Sequence, residues 1–295
     1  MKVFSPLFAR FLPPLAAILA AMAAIAAAPF AGASAALAGI GRPTPWEIGM
    51  QGSVTPVMDN ISLFNSYLFW ITTAIAVFVL VLLVYIIVRF NARAHPVPTR
   101  TTHNTPLEVI WTVVPILILC FVFVPSLWLL FLELDVPKPD LTVKATGKQW
   151  LWSYSYPDNG NFEFDSTVVA DKDLKPDQPR LLTVDNELVV PVNKVVHVLV
   201  TGADVIHSFA VPSFGIRIDA IPGRINDTWF KATREGMYYG QCSELCGVDH
   251  AFMPIAVRVV SDQEFTKWAA AAKQKYAAED QAPPTAMAAA GPAQR

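Results

Sequence analysis

The chain has 295 residues, of which 54 % are hydrophobic, more than an ordinary soluble domain contains. Its mean hydropathy of +0.41 indicates a membrane protein. The formal net charge of −2 says little until it is divided by region. The chain has three cysteines, and this odd number argues against a fold built on disulfides alone.

The first 38 residues are typical of a targeting segment. Lys2 and Arg10 make a short basic start, an Ala/Leu/Phe run comes next, and positions 36–38 offer the small-x-small cleavage site Ala-Leu-Ala. The alternative is a retained membrane helix from about Phe11 to Phe30. Either way the segment directs the adjoining part of the chain across a membrane, and residues 39–62 are expected to lie on the outer side.

Two further apolar runs are long enough to span a membrane. Tyr67–Val88 and Val109–Leu132 contain no charged residue, and a spanning helix needs about 20 apolar residues. Pro115 and Pro125 lie inside the second run, where neighbouring helices can repair the hydrogen bonds that proline removes. We therefore expect a transmembrane hairpin over residues 63–132, in contact with membrane lipids.

The link between the two runs predicts the orientation of the hairpin. It carries three arginines and two histidines and no acidic residue: Arg89, Arg93, Arg100, His95 and His103. Positive loops stay in the cytoplasm. We therefore expect a multi-pass protein of the cell inner membrane, with everything after Leu132 on the outer face, which is the periplasm in a bacterium.

The outer region, residues 133–262, has the pattern of an antiparallel β-sandwich or barrel. Short β-branched runs are separated by turn residues at a spacing of about 8–12 positions; they include Leu141–Ala145, Val189–Val192, Val195–Thr201 and Ile255–Val260. Residues 263–276 look helical. The Ala/Pro-rich tail 277–295 has no core-forming pattern and is expected to be disordered.

The outer region is acidic. From Glu133 to Asp280 it carries 21 acidic and 15 basic residues, a bias that the membrane segments conceal in the total charge. An acidic outer face favours a basic partner and disfavours nucleic acid.

Candidate metal ligands cluster near the end of the outer region. The segment Cys242–Met253 holds two thiols, an imidazole and a thioether, and His207 lies about 35 residues upstream at the end of a predicted strand. Soft sulfur ligands with imidazole suit copper, and one Cys with two His and a weak Met makes a mononuclear blue site. A second thiolate allows two sulfurs to bridge two copper ions, with one His terminating each.

Other interpretations of these residues stay open. Cys242 and Cys246 could form a disulfide in an oxidising compartment, although the histidines and the methionine around them favour a metal. Zinc is possible, but methionine is a poor zinc ligand. His197, in mid-strand, is interpreted as a structural or surface residue, and Cys120, alone in a membrane helix, as a packing residue.

The pattern Cys-Ser-Glu-Leu-Cys-Gly-x-x-His-x-x-Met resembles the copper A motif of cytochrome c oxidase subunit II. The segments Gln149–Tyr156, Asp204–Phe209 and Asp219–Arg224 resemble the same family. The likeness runs from about Met58 to Lys267. It implies a membrane-anchored all-β fold, in which a two-helix transmembrane hairpin is followed by a cupredoxin-like β-barrel or sandwich.

The resemblance also implies a ligand set. A binuclear copper A centre of two copper ions would have two bridging thiolates, two terminal imidazoles, a thioether on one copper and a backbone carbonyl on the other: Cys242, Cys246, His207, His250, Met253 and Glu244. The Glu244 carboxylate would in addition hold a Mg or Mn ion at the border with subunit I.

Two residues outside this set also match the family. Glu108, at the cytoplasmic start of the second helix, matches a carboxylate linked to a proton channel in subunit I; the alternative is an acid that caps the helix N-terminus. Trp150 matches the tryptophan through which electrons reach the copper centre. It alternates with Trp152, Tyr154 and Tyr156 on one predicted strand, so all four are expected on one face, the last three as core.

The function implied is that of an electron-accepting oxidase subunit. It would take electrons from cytochrome c and pass them to the haem and copper centres of subunit I, which reduce oxygen to water and pump protons, in a complex that includes subunit III. Ser155 and Ala203 replace acids often used for docking, and Lys148 and Leu151 replace a common His and Tyr. Docking is expected instead at other acids: Asp158, Asp165, Asp185 and Asp204.

Other classes of protein fit less well. A quinol oxidase subunit II keeps the hairpin and barrel but lacks the thiols and imidazoles. Nitrous oxide reductase has a large propeller domain for which we see no room. A copper-delivery or thiol–disulfide protein of the Sco type has its His far downstream of the cysteines, and a non-redox subunit leaves the ligand pattern unexplained. Without a C-x-x-C-H motif there is no covalent haem c, so a separate cytochrome c must be the donor.

Overall fold

The computed structural model describes residues 41–97 and 99–280. Residues 41–52 are the described part of a first unit, Met1–Gly52, and the second unit, which begins at Ser53, holds all the helices and strands named below. The predicted targeting segment 1–38 and the tail from residue 281 lie outside the described residues.

Two long helices open the second unit. Helix α1 spans Pro56–Arg89 and helix α2 spans Thr105–Leu134, and both are long and apolar enough to cross a membrane. At about 1.5 Å per residue, each is longer than the hydrocarbon core of about 30 Å. The helices therefore extend beyond the apolar runs from which the sequence predicted them.

Side-chain caps determine where the two helices begin. The Thr55 hydroxyl accepts a hydrogen bond from Met58 N–H at 3.0 Å, and the Asn104 side chain accepts one from Leu107 N–H at 3.2 Å. A proline follows each cap within the first turn, where its missing N–H costs nothing. Helix α1 consequently starts at Pro56, ahead of residue 63, where the sequence analysis placed the start of the hairpin.

A hydrogen bond between the helices compensates for one helix proline. Pro125 has no N–H to donate to the carbonyl four residues earlier, which belongs to Phe121. The Tyr67 hydroxyl of α1 donates to that carbonyl at 3.2 Å, and the Tyr67 and Phe121 rings lie 5.9 Å apart. The predicted repair by a neighbouring helix is thus confirmed at Pro125.

The outer region is a sandwich of two five-stranded sheets. The strands are β1 Leu141–Lys148, β2 Leu151–Tyr156, β3 Phe162–Ser166, β4 Leu188–Pro191, β5 Val196–Gly202, β6 His207–Val211, β7 Ile216–Ala220, β8 Asn226–Phe230, β9 Gly236–Cys242 and β10 Pro254–Val260. One sheet has the strand order β3-β2-β1-β5-β8 and the other β4-β10-β9-β6-β7. Strand β1 runs parallel to β5 and β4 parallel to β10, and the remaining neighbours are antiparallel. The predicted fold class is confirmed, but the sandwich is not purely antiparallel as the sequence pattern indicated.

Aromatic side chains of β2 fill the space between the sheets. Trp152, Tyr154 and Tyr156 are completely buried, as predicted. The Trp152 ring meets Phe209 of the facing sheet edge-on, with centroids 5.3 Å apart, a favoured aromatic geometry. The core therefore reaches from the middle of the sandwich to the strand β6 that begins at His207.

Trp150 precedes strand β2 instead of belonging to it. Strand β2 begins at Leu151, which pairs with Lys148 of β1, and Trp150 lies half-buried in the turn between the two strands. The prediction that Trp150 belongs to this strand is wrong, although its indole packs against the same hydrophobic core from the turn. The alternation of faces holds only within a strand, and the chain reverses before β2 starts.

Helix α3, Asp262–Asp280, closes the sandwich along the edge strand β3. Trp268 packs edge-on against Tyr156 at 5.1 Å, and Tyr276 stacks on Phe164 at 4.8 Å. The helix continues past residue 276, where the sequence analysis ended it, because alanines with high helix propensity follow at 277 and 278.

Candidate metal centre

The predicted ligands meet at one end of the second sheet. His207 begins β6, Cys242 ends β9, and Met253 immediately precedes β10. Strand β9 lies between β10 and β6, so these three strand ends are adjacent. Cys246 and His250 lie in the loop that joins β9 to β10, which folds back over the same end.

Six donor atoms converge there. The Cys242 and Cys246 sulfurs lie 3.9 Å apart. Each thiol has an imidazole beside it, with His207 Nδ1 4.0 Å from Cys242 Sγ and His250 Nδ1 3.5 Å from Cys246 Sγ. Met253 Sδ lies 3.5 Å from Cys246 Sγ, and the Glu244 carbonyl oxygen 3.3 Å from Cys242 Sγ. The structure thus brings together every predicted copper ligand.

This geometry fits a metal centre with soft ligands. The two sulfurs are almost twice as far apart as in a disulfide, where the S–S bond is about 2.0 Å, and both thiols are free. The donor atoms of His207, Cys242 and Cys246 all lie within 4.8 Å of one another. Thiolates and a thioether with imidazole suit copper, whereas the thioether does not suit zinc.

Four of the six ligand residues are shielded from water. His207 and Met253 are at most 1 % exposed, and the two cysteines at most 6 %. His250 and Glu244 are partly exposed. Burial, reinforced by the neighbouring Cys242 thiol, raises the pKa of the Cys246 thiol to about 12. Because a metal binds the thiolate, the metal must displace this proton when it binds.

Two residues next to the site, Trp152 and Gly147, constrain the position of the ligands. The Trp152 Nε1–H donates to the Met253 carbonyl at 3.3 Å, and its ring meets the His207 ring edge-on at 6.1 Å. A Cβ atom on Gly147 would lie 2.8 Å from His207 Cδ2, so only glycine leaves room for the imidazole. Gly147 was not among the predicted site residues, although a glycine inside a strand can signal such a close approach.

Asp204, predicted as a docking acid, is hydrogen-bonded to His207, one of the predicted metal ligands. Its Oδ1 accepts a hydrogen bond from His207 Nε2 at 2.8 Å. Partial burial acts to raise the pKa of Asp204, but the hydrogen bonds that it accepts, first that from His207, hold the pKa below the usual carboxyl value. A carboxylate in this position orients the imidazole so that Nδ1 faces the metal site.

The other predicted docking acids are separated in space. Asp185 accepts hydrogen bonds from Thr167 at 2.7 Å, beside the end of the sheet where Trp150 lies. Asp158 accepts one from Thr142 N–H at 2.7 Å, at the opposite end of β2. Asp165 lies 3.3 Å from the Lys148 ammonium, which offsets its charge.

Glu108 lies away from the metal centre, in the first turn of α2. Its carboxylate accepts a hydrogen bond from Asn104 N–H at 3.2 Å, while the Asn104 side chain caps the same helix. This reciprocal contact resembles a capping box. The hydrogen bond from Asn104 N–H supports the interpretation of Glu108 as a helix cap. A role at a proton channel would need groups from another subunit.

Two residues set aside in the sequence analysis have no contact with the centre. His197 Nε2 lies 3.2 Å from an Asp227 carboxylate oxygen on the neighbouring strand β8. Cys120 is an exposed free thiol on α2. Its side chain borders a groove of about 820 Å³ between α1 and α2.

The helix pair, the sandwich and the soft ligand set together define a membrane-anchored, cupredoxin-like protein with a candidate metal site. Residues 141–260 match the family described as cytochrome C oxidase subunit II, periplasmic domain, and residues 43–129 match its transmembrane domain. The chain belongs to the cytochrome c oxidase subunit II family. The His–Cys–Cys cluster fits the copper centre of that family.

Two relatives agree with this assignment, and one solved structure is similar to part of the chain. The probable cytochrome c oxidase subunit 2 of Rickettsia bellii (strain RML369-C) is 52 % identical over 236 residues, which are 80 % of this chain and 87 % of the relative. Cytochrome c oxidase subunit 2 of Cereibacter sphaeroides is 45 % identical over 247 residues, 78 % and 81 % of the two chains. The crystal structure of the periplasmic domain of subunit II from Bradyrhizobium japonicum is 70 % identical and covers 48 % of this chain and 99 % of that chain, with a TM-score of 0.46.

Membership places the protein within an assembly. Subunit II works with subunit I in the haem–copper oxidase complex. The two apolar helices anchor the chain in a membrane, and the sandwich is its periplasmic domain.

Proposed function

We infer that this chain is the electron-accepting subunit of a proton-translocating cytochrome c oxidase. Cytochrome c delivers electrons to a binuclear copper A centre in the sandwich, and they pass on to the haem and copper centres of subunit I, where oxygen is reduced to water. The observation that carries this proposal is the convergence of two thiols, two imidazoles, a thioether and a carbonyl at one end of the sandwich.

The arrangement of donors favours two copper ions over one. Two copper ions bound here would supply the one-electron acceptance and release. Both thiols are close enough to share a metal, since they lie 3.9 Å apart, and each thiol has its own imidazole. A mononuclear site of the blue type would need only one of the two cysteines.

The chain's own residues keep the centre rigid and dry. Strand ends hold His207, Cys242 and Met253, and each is nearly or completely buried. Ligands fixed in this way move little when an electron arrives, and fast transfer requires little movement. Buried ligands also keep water away from the centre.

Membrane orientation follows from the charges of the inter-helix loop. The three arginines of the loop keep it in the cytoplasm, so that both helices cross the inner membrane and the sandwich lies in the periplasm. Glu108 then lies at the cytoplasmic side, where it can contribute to a proton path together with subunit I. Glu244, half-buried beside Cys242, offers its carboxylate to Mg or Mn at the border with subunit I.

Cytochrome c docks around Trp150, which lies at the metal end of the sandwich. A Cβ atom on Gly247, in the ligand loop, would be 2.9 Å from the Trp150 ring, so the indole packs directly on that loop. Asp185 and Asp204 lie at the same end. Asp158 lies at the opposite end of β2 and contributes to the overall acidic field rather than to direct contact. Subunit III completes the complex.

Copper content and spectrum test the proposal. The copper-loaded chain is expected to hold two copper ions and to show a purple colour and a signal from one electron shared by both ions. Cys242→Ser should abolish that signal, because it removes one bridging thiol. Cys120→Ser is the matched control and should leave copper content and signal unchanged, since Cys120 lies on α2, away from the site. One copper per wild-type chain with a mononuclear signal would contradict the proposal.

A further inference from the structure

Asp204 gathers three hydrogen-bond donors at the rim of the metal centre. Its Oδ1 accepts from Val205 N–H at 2.6 Å and from His207 Nε2 at 2.8 Å, and its Oδ2 accepts from Gln149 N–H at 2.6 Å. The His207 side chain is completely buried, whereas the Asp204 side chain is 35 % exposed. The carboxylate therefore connects a buried ligand to a turn at the surface.

Gln149 connects the same turn to the opposite side of the centre. Its side-chain Nε2 donates to the Cys246 carbonyl at 2.8 Å. The backbone of Gln149 is thus held by Asp204, and its side chain by the ligand loop. A continuous chain of hydrogen bonds runs from the imidazole of His207 through Asp204 and Gln149 to Cys246.

Trp150, the next residue, lacks a polar anchor of its own. Its indole Nε1 is buried and has no hydrogen-bond partner among residues 41–280 as described. A Cβ atom on Gly247 would lie 2.9 Å from Trp150 Cζ2 and 3.1 Å from Gln149 Nε2. The indole therefore packs on the backbone that directly follows Cys246, and the side chain of the neighbouring Gln149 is hydrogen-bonded to the same loop.

We propose that Gln149 is a positioning residue for electron transfer: its amide, bound to the Cys246 carbonyl, holds the Trp150 indole against Gly247, next to a copper ligand. Asp204 anchors the backbone of Gln149 from the other side, a role separate from docking. The proposal rests on the proposed function, because it assumes a copper centre behind Cys246. Electron transfer slows steeply as the gap between indole and ligand widens, so losing this contact slows transfer without removing a ligand.

If Gln149 had a purely structural role, its substitution would have a different effect. It would lower the thermal stability or the copper content of the protein, and its effect would not depend on the indole. A residue that acts through Trp150 affects the transfer rate only when Trp150 is present. This dependence separates the two roles.

The test uses the full-length chain in the assembled oxidase, with Gln149→Met. Methionine has nearly the same length but cannot donate to the Cys246 carbonyl. The first-order rate of copper reduction by bound cytochrome c should fall roughly tenfold or more, the usual loss when a partner of a metal ligand is removed. Copper content, absorption spectrum, midpoint potential, melting temperature and the Kd of cytochrome c should stay at wild-type values. Gln263→Met, at an exposed glutamine of α3, is the matched control and should transfer at the wild-type rate.

A double variant decides whether Gln149 acts through the indole. Gln149→Met combined with Trp150→Ala should be no slower than Trp150→Ala alone. If the two losses multiply, if Gln149→Met transfers at the wild-type rate, or if it loses copper or shifts the potential, the positioning role is overturned. A wild-type rate in Trp150→Ala itself would overturn electron entry at Trp150 and with it this role. A wild-type chain without the two-copper spectrum would instead overturn the proposed function.

Discussion

At the scale of the residue, the position of His207 depends on an empty space next to Gly147. The imidazole fills the volume in which any other residue at 147 would place its Cβ, only 2.8 Å from His207 Cδ2. Gly147 lies between backbone partners on both sides, Trp152 on β2 and Gly202 on β5. Neither the strand nor the imidazole can move away easily, so the close contact is a constraint on the copper site.

Gly147→Ala should therefore weaken copper binding. The added methyl group pushes the imidazole away from Cys242, and we expect copper affinity to fall roughly 10- to 100-fold, as when a partner of a metal ligand is lost. Competition with a copper chelator measures the affinity. Thr146→Ala is the control, because its side chain points to the other face of the same strand. Equal affinity in the two variants would show that the imidazole can adapt to the methyl group.

Trp152 contacts the two predicted ligands His207 and Met253 and also fills the core. Its side chain is completely buried, and its indole N–H donates to the Met253 carbonyl. Trp152→Ala should lower the free energy of unfolding of the metal-free sandwich by about 3–5 kcal/mol, the usual cost of emptying a large aromatic site. Trp150→Ala should cost clearly less, since Trp150 is only half-buried. Chemical denaturation of both variants measures the difference, and equal losses would place Trp150 in the core.

The ligands themselves could be predicted from the sequence, but their supports could not. Cys242, Cys246, His250 and Met253 lie within 12 positions, and sulfur with imidazole at that spacing has few other uses. Gly147 and Gln149 are remote in sequence from these ligands and have no distinctive chemistry. Their roles depend on how β1 and its turn pack against a different sheet, and spacing along the chain does not reveal such packing.

At the scale of the element, a side-chain to backbone hydrogen bond links the two helices of the hairpin at Pro125. Pro125 leaves the Phe121 carbonyl of α2 without its usual helical donor, and the Tyr67 hydroxyl of α1 fills that place at 3.2 Å. In an apolar environment an unpaired carbonyl is costly. The bond therefore supplies the carbonyl with a partner and joins the two helices at this level.

Tyr67→Phe should destabilise the hairpin slightly, and only while Pro125 is present. Hydrogen bonds between membrane helices contribute about 0.6 kcal/mol on average and at most about 1.7 kcal/mol, so we expect a loss in that range in the unfolding free energy in detergent. In a Pro125→Ala background Phe121 regains a helical donor, and the loss should shrink towards zero. Tyr85→Phe is the matched control on α1. The same loss with and without Pro125 would mean that the hydroxyl acts elsewhere.

Element boundaries were harder to predict than element types. The apolar runs, the β-branched segments and the C-terminal helix all appear, but α1 begins earlier and α3 ends later than the patterns indicated. Apolar content marks where a helix lies in the membrane, whereas the cap at Thr55 marks where it starts. Trp150 was assigned to β2 because the alternation of aromatic residues in the sequence begins at position 150, whereas the strand itself begins at Leu151.

At the scale of the whole molecule, charge is unevenly arranged around the metal end. The region from Glu133 to Asp280 has six more acidic than basic residues, which attracts a basic cytochrome c. Not every acid can act locally, because surface charges are screened beyond about 10 Å at 0.1 M salt. Strand β2 separates Asp158 from Trp150 by its whole length, about 20 Å at 3.3 Å per residue.

The position of each acid therefore predicts its contribution to docking. Asp185→Asn should raise KM for cytochrome c at low salt, with little change in kcat, because Asp185 lies at the Trp150 end of the sheet. Asp158→Asn is the matched control: it removes the same charge about two Debye lengths away, and its KM should stay near that of the wild type at 0.1 M salt.

Raising the salt concentration should increase the wild-type KM and erase the difference between wild type and Asp185→Asn, because screening weakens the steering of a basic donor. Steady-state oxidation of cytochrome c over a series of salt concentrations measures all three. Equal effects of the two substitutions would mean that the field of the whole domain, rather than a patch around Trp150, attracts cytochrome c, and a KM independent of salt would mean that docking is mainly apolar.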